Sequence, residues 1–391
     1  MKQSAIEVIG YDKCTGCYGC LNTCPVHNAI EFKLTEEGFY KPFITCECVH
    51  CGYCQEGCPV IEKENTNMKE DLEVYSCWSK DEEIVKNSSS GGIFSELAKV
   101  YLENDGVVFG AKWQNGEIVH CGITKLEELK ELQKSKYLQS KIEHSYIKVK
   151  ELLKEGKKVL FVGTPCEVAA LKKIVNDKKL IIVDVVCHGI PSYNTYNKYI
   201  TDILGKNSKD IEVNFRNKNS GWENYSISYL KNGKIVMEVL HKKDIWFKGF
   251  LADIYLNKPC YNCEFRTLPR FADITLGDFW GVPQELKNPK GTSVVTINNK
   301  KGKELFEKIK DKIECKETTF EVAYKGNPCL ANYKLNYNKR REFYEDFSNK
   351  TFKELHKKYF PFPSFLKKCI LFPRRVLGFF KRRIMKVLKR G

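Results

Sequence analysis

The chain has 391 residues, 42% hydrophobic and 29% charged, with 18 cysteines and a formal net charge of +16. This composition is globular and long enough for two or three domains, and no apolar run approaches the ~18 residues that span a bilayer, which excludes an integral membrane protein. The charge is uneven, since residues 355–391 hold 12 Lys and Arg and no acid, leaving only four of the sixteen charges to the rest.

Nine of the cysteines fall between Cys14 and Cys58. The opening MKQSAIEVIGYDKCTGC has neither the apolar core nor the cleavage site of a secretory signal. The expectation is therefore metal ligation in a reducing compartment rather than a disulfide framework. Cys14, Cys17, Cys20 and Cys24 follow C-x2-C-x2-C-x3-C with Pro25 next, and Cys48, Cys51, Cys54 and Cys58 repeat the spacing with Pro59 next. Three thiolates on a tight loop reach three irons of one cubane, while the fourth, held away by proline, ligates the other cluster. Cluster one is assigned to Cys14, Cys17, Cys20 and Cys58, and cluster two to Cys48, Cys51, Cys54 and Cys24. Gly16, Gly19, Gly52 and Gly57 let the backbone pass close to the sulfurs and offer them N–H groups. Zinc prefers two C-x2-C pairs across a longer spacer, which two complete four-cysteine runs do not match. Residues 1–62 resemble a bacterial-type ferredoxin with two 4Fe-4S clusters, an α+β ferredoxin-like domain. Cys46 is a spare thiol beside the second run.

A charged linker, residues 62–73, leads to alternating strand and helix patterns. VYSCWS reads as a strand, and NSSSGGIFSELAKVYLEN as a turn opening an amphipathic helix. GVVFGAKW and EIVHCGIT are strands around an Asn115-Gly116 turn. The helix YIKVKELLKEG then precedes the strand KKVLFVG, the turn Thr164-Pro165-Cys166 and the helix EVAALKKIV. LIIVDVV is a buried strand ending at Cys187-His188-Gly189. The pattern predicts an α/β mixed-sheet domain, partly parallel, whose ligands sit at the carboxyl ends of its strands. Ser88 to Gly92 brings hydroxyls and free N–H groups to a helix start, which suits an anion or a plain N-cap. Gly163-Thr164-Pro165 offers a second phosphate or flavin contact. Cys260-x2-Cys263 suits zinc, a redox pair or two buried thiols, and with Cys166 and Cys187 it makes four candidate thiolates for a third cluster.

The blocks SSSGG, SKYLQS (Ser135 to Ser140), VLFVGTPCEVAAL, VDVVCHGIPS, FRNKNSGW, CYNCEFR and ADITLGDFWG follow the two cysteine runs in that order. Over roughly residues 5–315 this order resembles the coenzyme F-420 (F420) hydrogenase/dehydrogenase beta-subunit family, in the version with an N-terminal ferredoxin domain. The resemblance implies a flavin, usually FAD, and a further 4Fe-4S cluster drawn from Cys166, Cys187, Cys260 and Cys263. It implies flavin contacts at Ser89, Ser90, Gly91, Gly92, Lys136, Tyr137, Gln139, Ser140, Gly163, Thr164 and Pro165. Coenzyme F420 is a further candidate ligand, and some relatives sit among surface-polysaccharide genes. Asp278 is structural with Trp280 shielding a cofactor, or is a satisfied turn Asp beside a core Trp. His188 supplies a proton at the flavin or makes a structural hydrogen bond.

Residues 73–155 and 156–326 are read as two parts of the flavin domain, and 327–391 as a helical appendage ending in a basic tail. In RRVLGFFKRRIMKVLKRG, Val376, Leu377, Phe380, Ile384, Val387 and Leu388 share an arc of about 120° opposite the basic residues. Residues 364–391 are therefore expected on an anionic membrane surface, with an acidic protein partner as the competitor. The apolar stripe disfavours nucleic acid. The sequence thus predicts an iron–sulfur flavoprotein oxidoreductase, peripheral on the cytoplasmic face of the cell membrane, that works with a redox partner protein. The rival is an electron-transfer subunit with no substrate of its own. Cys46, Cys77, Cys121, Cys315, Cys329 and Cys369 have no expected role.

Overall fold

The structure is a computed structural model that describes residues 1–62, 72–336 and 338–362; most of the charged linker and all of residues 364–391 lie outside these. Strands β1 (Ile30–Leu34) and β2 (Tyr40–Ile44) form an antiparallel hairpin between the two cysteine runs. The body begins with β3 (Glu73–Ser79), β4 (Val107–Gln114), β5 (Glu117–Ile123), β6 (Ser140–Lys141), β7 (Val159–Gly163) and β8 (Leu180–Val185). It continues with β9 (Glu212–Asn217), β10 (Ser226–Lys231), β11 (Lys234–Leu240), β12 (Ile274–Asp278), β13 (Ser293–Ile297) and β14 (Ile313–Thr318). One mixed sheet runs β14-β3-β13-β12-β8-β7-β4-β5-β6. Its centre, β12, β8, β7 and β4, is parallel. Strands from residues 73–155 and from 156–326 interleave in it, so the two expected parts share one core. The smaller antiparallel sheet β11-β10-β9 packs on that core through Val213, Phe215, Ile227 and Tyr229.

The apolar runs are long because the central strands are covered on both faces. Along β7, Val159 and Phe161 enter one core with Tyr146, Val149 and Val168, while Leu160 enters the other with Ile93, Leu97 and Leu305. This alternation follows from the two-residue period of a strand. Asn115 (φ 52°) and Gly116 (φ 74°) turn β4 into β5, as a two-residue hairpin loop requires. Helix Pro165–Ile174 starts with Pro165 in its first turn, and the Thr164 N–H donates to the Glu167 carboxylate at 2.7 Å, closing a capping box. Beneath the sheet centre, Asp184 of β8 pairs with Arg270 at 2.7 Å, both side chains almost wholly buried.

The N-terminal segment is fastened at its hairpin turn. The Ser192 hydroxyl donates to the Glu37 carbonyl at 2.6 Å, and the Tyr193 N–H to the Gly38 carbonyl at 2.9 Å. Arg340, fully buried, forks onto the Glu37 carboxylate from the start of helix Arg340–Phe347. That helix and Phe352–Tyr359 are the α-helices described within the expected appendage, and Phe343, Phe352 and Leu355 join the main core. No described helix is long and apolar enough to cross a membrane. The tail, with its expected membrane contact, lies outside the described residues.

Candidate functional site

The two cysteine runs fold into two cavities whose linings cross over. Cys14, Cys17, Cys20 and Cys58 line one, and Cys24, Cys48, Cys51 and Cys54 line the other. The crossing is made by close backbone contact: a Cβ on Gly19 would lie 2.1 Å from the Gly57 carbonyl oxygen, and one on Gly57 would lie 1.9 Å from Thr23 Oγ1. Gly57→Ala should therefore force the runs apart and cost about 1–3 kcal/mol. Thermal melting and iron per chain check this; unchanged melting with full iron would show the contact to be loose.

Amides aim at the sulfurs. The Ala5 N–H donates to Cys54 Sγ at 3.2 Å, those of Gly16 and Gly19 serve Cys14 and Cys17, and those of Val60 and Ile61 serve Cys58. Burial pushes the Cys17 thiol up to about 12, with Cys58 adding to it, and raises Cys14, Cys20 and Cys58 as well. Four buried thiols that oppose one another's ionisation become thiolates only around positive charge, which is what an iron core supplies. Among the described residues no three His, Cys, Asp or Glu side chains converge as ligands of a single ion. A cubane asks for something else, because each thiolate binds a different iron around the cage. The donor sets fit.

Cys166 lies in the first turn of helix Pro165–Ile174, Cys187 follows β8, and Cys260 and Cys263 lie in and just after the short turn Lys258–Asn262. They share one buried neighbourhood. Burial pushes Cys166 and Cys187 well up and Cys260 to about 11; Cys263 adds to all three, and Cys260 to Cys187. The Ile190 N–H donates to Cys260 Sγ at 3.5 Å, and Thr164 Oγ1 lies 3.4 Å from Cys166 Sγ. Cys329, without an expected role, joins this group. Burial pushes its thiol up, but His188 and the Arg266 guanidinium, 3.5 Å away, outweigh that and hold it below its ordinary range.

At the carboxyl ends of β7, β8 and β12 opens a cavity of about 280 Å³. Of the residues expected to touch flavin, Ser89, Ser90, Gly92, Lys136, Tyr137, Ser140, Gly163 and Thr164 line it, together with Cys187 and His188. Gly91, Gln139 and Pro165 do not. A Cβ on Gly91 would lie 2.4 Å from the Cys77 carbonyl oxygen, so this glycine serves the packing of the loop on β3. Gln139 turns away to the N-terminal segment: its Oε1 accepts from the Tyr40 N–H at 2.8 Å, and its Nε2 donates to the Tyr40 carbonyl at 3.0 Å. Pro165 is buried in the helix start. The Ser89 hydroxyl accepts from the Ser135 N–H at 2.8 Å, and that of Ser90 donates to the Thr292 carbonyl at 2.6 Å, so both are already engaged.

Burial pulls Lys136 down to about 7 and Lys218 to about 8, and it lowers Lys134. Lys134 and Lys136 line the cavity, where an anion would favour their charged forms, whereas Lys218 lies outside that lining and donates to the carbonyls of Val85, Ser90 and Lys290. Asp278 lines the cavity but accepts from Arg216 at 2.7 Å and from Trp222 Nε1 at 3.0 Å, while Trp280 stacks on Trp222 at 5.2 Å. Asp278 thus ends β12 with its carboxylate satisfied beside the buried Trp222, while Trp280 is half-buried and outside the cavity lining. His188 Nε2 lies 2.8 Å from Asp253 Oδ1, and the ring meets Phe250 edge-on at 5.1 Å. Burial opposes its charging, yet Asp253 and Cys329 lift it to about 9. His120, missed in the sequence, also lines the cavity, bonded to Ser140 Oγ at 2.6 Å and to the Val162 carbonyl at 3.0 Å. Only the strand register could have pointed to it.

The chain matches the family models described as coenzyme F420 hydrogenase/dehydrogenase beta subunit, the N-terminal one over residues 74–145 and the C-terminal one over residues 156–323. An uncharacterized protein of Methanocaldococcus jannaschii is 24% identical over 345 residues, 77% of this chain and 88% of that one. The coenzyme F420 hydrogenase subunit beta of Methanococcus voltae is 25% identical over 247 residues, 60% of this chain and 79% of that one. A chain of the F420-reducing NiFe hydrogenase complex from Methanosarcina barkeri aligns with a TM-score of 0.47 and 19% identity, covering 70% of this chain and 92% of that one. These relatives are named as subunits of redox enzymes or have no named activity. With more than half of its length matched by the two models, the chain belongs to the coenzyme F420 hydrogenase/dehydrogenase beta-subunit family.

Proposed function

We propose that this chain is an iron–sulfur flavoprotein oxidoreductase. Its N-terminal residues 1–62 would act as a two-cluster ferredoxin domain, and Cys166, Cys187, Cys260 and Cys263 would hold a third 4Fe-4S cluster. FAD or another flavin would occupy the 280 Å³ cavity, and an organic substrate, coenzyme F420 among the candidates, would meet it there. One observation carries the reading: the sites are contiguous. Cys20 and Cys24, one from each set, share the short helix Gly19–Thr23, Cys20 in its first turn and Cys24 at its C-cap. The Tyr146 hydroxyl lies within hydrogen-bond distance of the carbonyls of both Cys17 (2.9 Å) and Glu167 (3.0 Å), which ties the first set to the residue after Cys166. Cys187 is shared between the third set and the cavity wall.

A bound flavin supplies the exchange between hydride transfer and single-electron transfer. The chain's own residues would do the rest. Lys134 and Lys136 offer positive charge to the anionic part of the ligand. Tyr137, ringed by Phe215, Phe247 and Phe250 at 5.3–5.5 Å, keeps water from one wall. Asp253 fixes the His188 ring beside Cys187. Residues 364–391 would hold the protein at an anionic membrane surface, a reading that rests on the sequence pattern.

Anaerobically purified protein is expected to contain about twelve irons, matching sulfide and one flavin. About eight irons would remove the third cluster from the scheme, and absence of flavin would remove the oxidoreductase reading. A second reading draws support from a relative named as a hydrogenase beta subunit: an electron-transfer subunit serving a partner enzyme. Turnover of a small substrate with an artificial donor favours the first, and activity only when a partner is added favours the second.

A further inference from the structure

We infer that Lys41 is a buried cationic bridge between the first N-terminal cluster and the third cluster, and that it raises the reduction potential of both. The inference rests on the three-cluster reading above. Lys41 lies on β2 with a relative exposure of 3%. Burying an ammonium is costly unless anions surround it. Among the described residues no carboxylate stands within ion-pair distance of its Nζ, which donates to the Cys14 carbonyl. Glu37, a carboxylate that acts on it from further off, is already held by the Arg340 fork. Burial lowers Lys41 below its ordinary value, and the groups besides Glu37 whose ionised forms would favour its charge are the sulfurs of Cys14, Cys260 and Cys17, drawn from two separate ligand sets.

The surrounding packing places the bridge at a built junction. Asn257 Nδ2 donates to the Thr15 carbonyl at 3.3 Å, and Lys258 pairs with Asp12 at 2.8 Å, so the turn carrying Cys260 is docked on the loop carrying Cys14. Gln139 clamps both backbone groups of Tyr40, the residue before Lys41, and reaches the Gly16 carbonyl at 3.3 Å. The side chain is thereby fixed between two sites that bind anionic iron–sulfur cores. Each electron accepted by such a core adds negative charge, and a fixed neighbouring cation favours that state. Since both cores share one cation, their potentials rise together relative to the core at Cys24, Cys48, Cys51 and Cys54. Electrons are drawn inward from the exposed Cys51 side.

The test is an EPR-monitored redox titration of the full-length holoprotein as wild type, Lys41→Met and Lys41→Arg. In Lys41→Met the reduced-to-oxidised ratio at fixed poise should fall about tenfold for two of three clusters, about 59 mV for one electron. The remaining cluster should not move, and Lys41→Arg should keep all three within about threefold of wild type. Unmoved potentials at full iron would overturn the inference, and so would a shift confined to one cluster. Should Lys41→Met lose iron, Lys41→Gln is titrated instead. Iron lost from both yet retained by Lys41→Arg supports the charge role, whereas loss from all three variants assigns the site to shape and overturns it. About eight irons in the wild type would refute the three-cluster reading itself, and with it the bridge, whatever the potentials.

Discussion

Cys17→Ala is expected to remove about four of roughly twelve irons and to slow donor-driven flavin reduction at least about a hundredfold. That factor corresponds to about 2.7 kcal/mol of added barrier. Cys17 is the informative position because it is 9% exposed and belongs to the set that faces the body. Its carbonyl, which accepts from Tyr146, survives the substitution, so the docking of the N-terminal segment is kept while the ligand is lost. Cys46→Ala is the control. Cys46 is exposed, its sulfur 3.9 Å from the Glu47 carboxylate and outside both cysteine-lined cavities, so iron content should not change. Iron and sulfide analysis with stopped-flow reduction reads both variants. Full iron in Cys17→Ala would refute Cys17 as a cluster ligand.

Arg270→Leu should destabilise the body by about 3–5 kcal/mol, because it strands the Asp184 carboxylate without its partner inside the sheet. The pair is 2.7 Å apart with each side chain about 1% exposed. Burial raises Asp184 above its ordinary value even with Arg270 and Thr275 pulling it down, and loss of the arginine raises it further. A carboxyl raised on folding favours the folded state in acid, and that contribution fades as pH rises through the folded value. The deficit of the variant should therefore be smaller at pH 5 than at pH 8. Adding Asp184→Asn should recover most of the loss, since a neutral amide has far less desolvation to repay. Denaturant unfolding followed by tryptophan fluorescence measures all three. An equal deficit at both pH values, or no recovery in the double variant, would show that shape rather than charge is what Arg270 contributes.

The two cysteine runs were legible because their chemistry is local. Three ligands within seven residues share one loop, and the proline after the fourth directs that ligand away. The central strands were legible too, since β7 carries an unbroken apolar run, β8 is apolar but for Asp184, and β4–β5 carries its own Asn-Gly turn. Motif position proved a weaker guide within SKYLQS. Lys136, Tyr137, Leu138 and Ser140 line the cavity, but Gln139 faces the N-terminal segment: residues 133–139 are irregular, so no strand period fixes where each side chain goes. The same limit hid His120, whose strand reads as ordinary until β5 is paired with β4 and β6.

By itself, then, the sequence determined the kinds of groups present: two complete thiolate sets, a partly parallel α/β body, and the loops that follow its strands. Tertiary structure alone decided which groups meet. Cys166 and Cys187 come together because β7 and β8 are neighbours in the sheet, and Cys260 joins them because Leu256 and Asn257 pair with Pro191 and Ile190. Lys41 is unremarkable in sequence, a lysine before a proline, and becomes a buried charge only when Gln139 and Asn257 close the two halves around it. Ligand spacing is set by a few backbone angles, whereas the burial of a charge depends on contacts between segments separated by a hundred residues or more.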